Sequence, residues 1–113
     1  MNSLSPFTQL ADGRVLLQIN AAAGGLIIGR AEAEGEYAPD LDLAPFNGQG
    51  LGVSRRHAAL VRYHERLHLV DLDSANGTFL GGQRLPANVP VRLRDGDHVR
   101  LGSLTLVLSI GIE

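Results

Sequence analysis

The chain has 113 residues, 44% hydrophobic and 19% charged, with a formal net charge of −2 and no cysteine. That length suits one core and a single domain over 1–113, and the charge balance argues against a nucleic-acid or polybasic membrane partner. Without cysteine there are no disulfides or thiolate metal sites; with no signal-peptide pattern and no apolar run near the roughly 20 residues of a membrane helix, the expected location is the cytoplasm.

Fourteen glycines and five prolines punctuate the sequence, the rhythm of short strands and turns. Ala11 to Arg14 reads as a turn before the apolar run Val15–Ile19. Leu26–Ile28 is a second short strand, bracketed by glycines. Ala31 to Val53 is irregular, and only Asp40 to Leu43 within it suits a strand. Loops this long in a small domain are usually functional or disordered.

Ser54 to Asp73 contains neither Gly nor Pro. Leu60, Tyr63, Leu67 and Val70 fall at helical spacing, and Ser54 is a candidate N-cap. The competing reading is a hairpin with Ala59, Val61 and Tyr63 on one face, a turn at His64-Glu65, and Leu67 and Leu69 returning. Because that turn lacks Asn-Gly or Asp-Gly, local pattern slightly favours the helix. Further on, Val91 and Leu93 alternate with Arg92 and Arg94, and Val99 and Leu101 with His98 and Arg100. Asp95-Gly96-Asp97 makes a turn between them. The clearest two-residue period runs through Leu104, Leu106, Leu108 and Ile110. The sum is an all-β sandwich or barrel.

His64-Glu65-x-x-His68 has the spacing of a helical zinc hydrolase, in which two imidazoles hold the metal and the glutamate is general base. Such a site needs a third protein ligand. The candidates, His57, His98 and acids in loops or turns, have no second helix to present them. Zinc hydrolysis is a remote alternative, and the expectation is a non-enzyme with no metal and no cofactor.

A stronger signal lies in three separated fragments: Gly29-Arg30, Ser54-Arg55-Arg56-His57, and Ser74-Ala75-Asn76-Gly77-Thr78-Phe79-Leu80. In that order and strand context, the chain from Val15 to Ile110 resembles the forkhead-associated (FHA) domain family. The resemblance implies an eleven-stranded antiparallel β-sandwich whose loops at one end bind phosphothreonine peptides, as in bacterial Ser/Thr-kinase signalling. It also implies a hairpin between Ala58 and Leu72.

The resemblance assigns roles residue by residue. Arg30 matches the arginine that bonds the phosphate or adjoining peptide backbone, with a surface pair to Glu32 or Glu34 as the plainer alternative. Ser54 and Arg55 match the positions that give a hydroxyl and a cation to the phosphate; a helix cap and a solvated charge are their plain alternatives. Asn76 matches the asparagine that bonds the peptide main chain. His57 looks like the structural histidine that holds a loop, and Gly29 and Gly77 serve backbone geometry. Arg56 alternates away from Arg55 in an extended chain and is not in the first rank.

Two departures stand out. Ala75 replaces a common threonine or serine, removing a hydroxyl whose charge-assisted bond is worth about 1.5–3 kcal/mol, although a backbone amide can compensate. The loop after Arg30 is long and carries Glu32, Glu34 and Glu36, whose carboxylates oppose a phosphate dianion within a Debye length of about 8 Å. That loop points elsewhere, favours basic peptides, or guards an empty site. These departures motivate an alternative, a degenerate FHA domain making phosphate-independent contacts.

Overall fold

The computed structural model describes residues 5–111. In chain order the strands are β1 (Phe7–Gln9), β2 (Val15–Asn20), β3 (Leu26–Gly29), β4 (Leu41–Asp42), β5 (Arg56–Tyr63) and β6 (Arg66–Asp71). They continue with β7 (Thr78–Leu80), β8 (Gln83–Arg84), β9 (Val91–Arg92), β10 (His98–Leu101) and β11 (Leu104–Gly111). One sheet has the order β1-β2-β11-β10-β7-β8 and the other β4-β3-β5-β6-β9. The eleven-stranded sandwich expected from the sequence is therefore present. Two of its pairings, β11 with β2 and β3 with β4, run parallel rather than antiparallel. Each joins strands separated by a long excursion of chain, which a tight hairpin does not constrain.

Alternation drives the packing. Val15 and Leu17 of β2 and Leu104, Leu106 and Leu108 of β11 face Ile28, Leu60, Leu67 and Leu69 of the opposite sheet, all buried. Each such side chain contributes about 1.5–3 kcal/mol when removed from water. The Asp95–Asp97 turn is formed, but the strands flanking it lie in different sheets: β9 pairs with β6, and β10 with β11 and β7. Identical alternation on both sides of a turn does not distinguish a hairpin from a sheet-to-sheet crossing.

The stretch around His64 is a hairpin, so the helix favoured by local spacing is not formed. Tyr63 pairs with Arg66, leaving a two-residue loop. Of the helical stripe, Leu60 and Leu67 point into the core, whereas Tyr63 and Val70 sit on the outer face. The spacing summed two faces of a sheet into one apparent stripe. The Tyr63 ring stands edge-on to both His64 and His68, with centroids at 4.3 and 5.2 Å. The helical geometry required by the zinc reading is absent, and no group of three metal-ligating side chains is gathered among the described residues.

The hairpin turn carries strain. His64 and Glu65 have φ of 52° and 61°, the type I′ conformation normally given to Asn-Gly. Replacing Glu65 by Gly relieves a left-handed β-carbon, worth about 1 kcal/mol. Urea denaturation of Glu65→Gly is expected to show a raised midpoint with an unchanged slope.

Candidate functional site

The C-terminal end of β3, the N-terminal end of β5 and the loop between β6 and β7 meet at one pole of the sandwich. Gly29 makes the meeting possible. A β-carbon there would lie 1.8 Å from the Arg55 carbonyl oxygen, so only glycine lets the two backbones touch. The adjoining Arg30 amide then donates to that same oxygen at 3.2 Å.

His57 ties this pair of strands to the third fragment. Its ring is fully buried. Nδ1 lies 2.9 Å from the Ser54 amide, and Nε2 lies 2.9 Å from the Gly77 carbonyl. The amide can only donate and the carbonyl only accept, so the ring is neutral with its proton on Nε2. Burial lowers the imidazole pKa from its ordinary 6.5; the Gly77 bond and the nearby Asp71 charge oppose that shift without cancelling it. Gly77 itself has φ of 89°, a conformation that favours glycine.

The β6–β7 loop rests on a second buried polar group that sequence reading did not single out. Asp71, at the end of β6, accepts from the hydroxyls of Ser74 and Thr78 at 2.6 Å each and from the Ser74 amide at 3.2 Å. Burial works against its charge, but these donors together prevail and hold the carboxyl below its usual 3.8. Ser74 in turn accepts from the Gly77 amide. An acid entering a Ser/Thr-rich loop was the available signal.

On this frame the four nominated side chains come to one rim. Arg30 spends Nε on the Val53 carbonyl at 2.6 Å, which fixes its guanidinium and leaves both Nη groups to donate elsewhere; it pairs with neither Glu32 nor Glu34. Ser54 caps no helix. Its Oγ accepts the Ala75 amide at 3.3 Å, so its own hydroxyl proton is left to donate to a ligand. The amide of position 75 thus engages the site although its side chain has no hydroxyl. Asn76 donates Nδ2 to the Gly52 carbonyl at 2.9 Å, and its Oδ1 has no partner among the described residues.

Arg55 is not a free surface charge, because Glu32 Oε1 sits 3.3 Å from its Nη1. The acidic loop therefore folds toward the rim. Glu32 and Glu34 share a concavity of about 420 Å³ with Arg30. A neighbouring one of about 480 Å³ is lined by Arg55, Arg56 and Tyr37. The Tyr37 hydroxyl is buried without a hydrogen-bond partner among the described residues; no motif pointed to Tyr37, and Arg56 stood outside the first rank.

The fold and rim together define a β-sandwich recognition scaffold, with cationic, hydroxyl and carboxamide groups presented on loops at one end. Residues 26–102 match the FHA domain family, and the chain belongs to it. It is 34% identical over 106 residues to the oxoglutarate dehydrogenase inhibitor of Corynebacterium jeikeium, covering 90% of this chain and 69% of that protein. It is 31% identical to a protein phosphatase 1 regulatory inhibitor subunit homologue of Arabidopsis thaliana, covering 85% of this chain but only 24% of the plant protein. Among solved structures, it resembles the N-terminal FHA domain of S. cerevisiae Rad53p in complex with a phosphothreonine peptide. There the identity is 29% and the TM-score 0.53, over 68% of this chain and 55% of that one.

Three outcomes test this frame. Gly29→Ala is expected to lose about 3 kcal/mol of stability through overpacking against Arg55, measured by urea denaturation. The lowered His57 pKa means the unfolded chain binds a proton first. Its contribution to stability is therefore complete above pH 6.5 and is lost as pH falls from there through the folded pKa. Asp71 adds a second loss that starts near pH 3.8 and ends at its lowered folded pKa. Nitrogen-detected NMR near neutral pH is expected to show His57 protonated at Nε2 and bare at Nδ1.

Proposed function

We propose that this chain is a recognition domain for phosphothreonine on a partner protein, and not an enzyme. The observation that carries the reading is the division of labour at Ser54, Arg30 and Asn76. Each uses one polar group to hold the rim and retains another for a ligand. Arg30, Arg55 and the Ser54 hydroxyl supply donors to a phosphate that carries about −1.5 to −2 charge. Asn76 Oδ1 accepts from the peptide main chain. The Rad53p domain in complex with a phosphothreonine peptide supports a phosphothreonine ligand by similarity, and relatives named as inhibitors support a non-catalytic role. Ser/Thr-kinase signalling is the setting such a ligand requires.

A second reading, phosphate-independent protein contact through the same sandwich, is favoured by Ala75 and by the Glu32 carboxylate already on Arg55. Calorimetry with a phosphothreonine peptide library separates the two. Binding above the unphosphorylated controls is expected. Arg30→Ala and Ser54→Ala each weaken it about ten- to a hundredfold. Glu32→Gln strengthens it by up to about fivefold, since an exposed ion pair is worth little. Equal binding of phosphorylated and unphosphorylated peptides would reject phosphate recognition.

A further inference from the structure

The opposite pole of the sandwich holds a further concavity, of about 430 Å³, whose lining includes Arg62, Arg66, Arg92 and Arg94. Four of the ten arginines thus converge where the β5–β6 hairpin turn, the end of β9 and the end of β11 come together. The sequence cause is plain. Val91 and Leu93 take inward positions, which leaves Arg92 and Arg94 at the rim, and the hairpin turn places Arg62 and Arg66 beside them.

Among the described residues these guanidinium groups make few hydrogen bonds and no ion pair. The ion pairs among the described residues are Arg14 with Asp12 and Arg55 with Glu32, so none of the four has a carboxylate partner. Arg62 donates to the Ala21 carbonyl at 2.6 Å and, at 3.4 Å, to the Glu65 carbonyl, while Arg66 has a long 3.5 Å contact to that same Glu65 oxygen. The side chains of Arg92 and Arg94 make no hydrogen bond among the described residues. Below them, Leu67 and Leu93 form an apolar floor.

We propose that this pole binds a short acidic segment of a partner polypeptide, with an apolar side chain seated on the floor. Three observations select that occupant. Guanidinium forks match carboxylates in bidentate geometry. Glu65 and Asp95 also line the concavity, and a formal net charge of −2 on the whole chain opposes a nucleic acid or an anionic bilayer, which need a continuous basic surface. Finally, among the described residues β9 is the edge strand of its sheet, so the outward backbone groups of Arg92 can pair with an extended peptide. Only a polypeptide uses both the cationic rim and the open edge. This site is separate from the phosphothreonine reading and does not depend on it.

The test is amide NMR mapping on the whole chain with a Glu-Leu-Glu-Leu-Glu peptide as probe. Comparison ligands are the Lys-Leu counterpart, inorganic phosphate, and phosphatidylcholine vesicles containing phosphatidylserine. Shifts are expected at Arg62–Leu67 and Val91–Asp95, sparing Arg30, Ser54 and Asn76. The double variant Arg92→Glu with Arg94→Glu should weaken the peptide at least about tenfold while the amide resonances of Arg30, Ser54 and Asn76 stay in place. If that pair disturbs the hairpin, Arg66→Gln alone gives the same reading with a smaller loss. Shifts centred on Ser54, equal binding of the Lys-Leu peptide, tighter binding of phosphate or vesicles, or unchanged affinity in the variants would each overturn the proposal.

Discussion

A neutral imidazole buried between two backbones is the constraint from which the rim follows. His57 accepts the Ser54 amide on one nitrogen and donates to the Gly77 carbonyl with the other, so strand β5 and the β6–β7 loop are held at one spacing. A protonated ring has no lone pair for the Ser54 amide, which would then be left unpaired at a cost of about 1–3 kcal/mol. Lysine or arginine cannot substitute, since neither can accept. The same geometry explains Gly29: once His57 fixes the Ser54–Arg55 backbone, the β3 backbone can approach it only without a side chain.

Rigidity here is a condition for recognition rather than a by-product. Loops that must order on binding lose affinity to conformational entropy. This rim carries its own hydrogen bonds before any ligand arrives. Asp71 fixes Ser74 and Thr78 below the loop, Asn76 is docked on Gly52, and Arg30 is docked on Val53. The long segment before Val53, irregular by sequence, is also internally bonded: Gly48 and Val53 close it through Leu43 and Gly48 carbonyls. The β10–β11 turn braces it from the other sheet with the Ser103 amide on the Leu51 carbonyl, and holds the β6–β7 loop with the Gly102 amide on the Gly77 carbonyl.

Much of this was legible in the amino-acid order, for different reasons at different places. Period-two alternation in Leu104–Ile110 is a statement about one strand, and it held. The Ser54–Asp73 spacing is a statement about which face each residue takes, and a hairpin can imitate a helix when both faces carry apolar groups, as Leu60 and Tyr63 do here. The FHA resemblance chose correctly because it draws on fragments far apart in the chain. What no fragment revealed was the partner of each charge. Arg55, not Arg30, meets Glu32, and Asp71 is structural although it stands among surface-like loop acids. Such pairings depend on loop paths through space, which local composition does not encode.

The Glu32–Arg55 contact gives the proposed ligand selectivity a physical form. Without a peptide, one carboxylate already lies on the cation, and tethering keeps it close at no translational cost. An incoming aspartate or glutamate side chain brings the same single charge and displaces Glu32 with little electrostatic gain. A phosphate dianion brings nearly twice that charge and three acceptor oxygens, enough to engage Arg30, Arg55 and the Ser54 hydroxyl together. On the phosphothreonine reading proposed above, the Glu32 contact is a small barrier to any anion, and one that weighs more on a carboxylate than on a phosphate dianion. At the pole with Arg92 and Arg94, Glu65 and Asp95 line the concavity, but among the described residues neither is ion-paired to a guanidinium there, so under the proposal above an incoming carboxylate displaces no formed pair. If both proposals hold, the two ends of the sandwich take different kinds of negative charge.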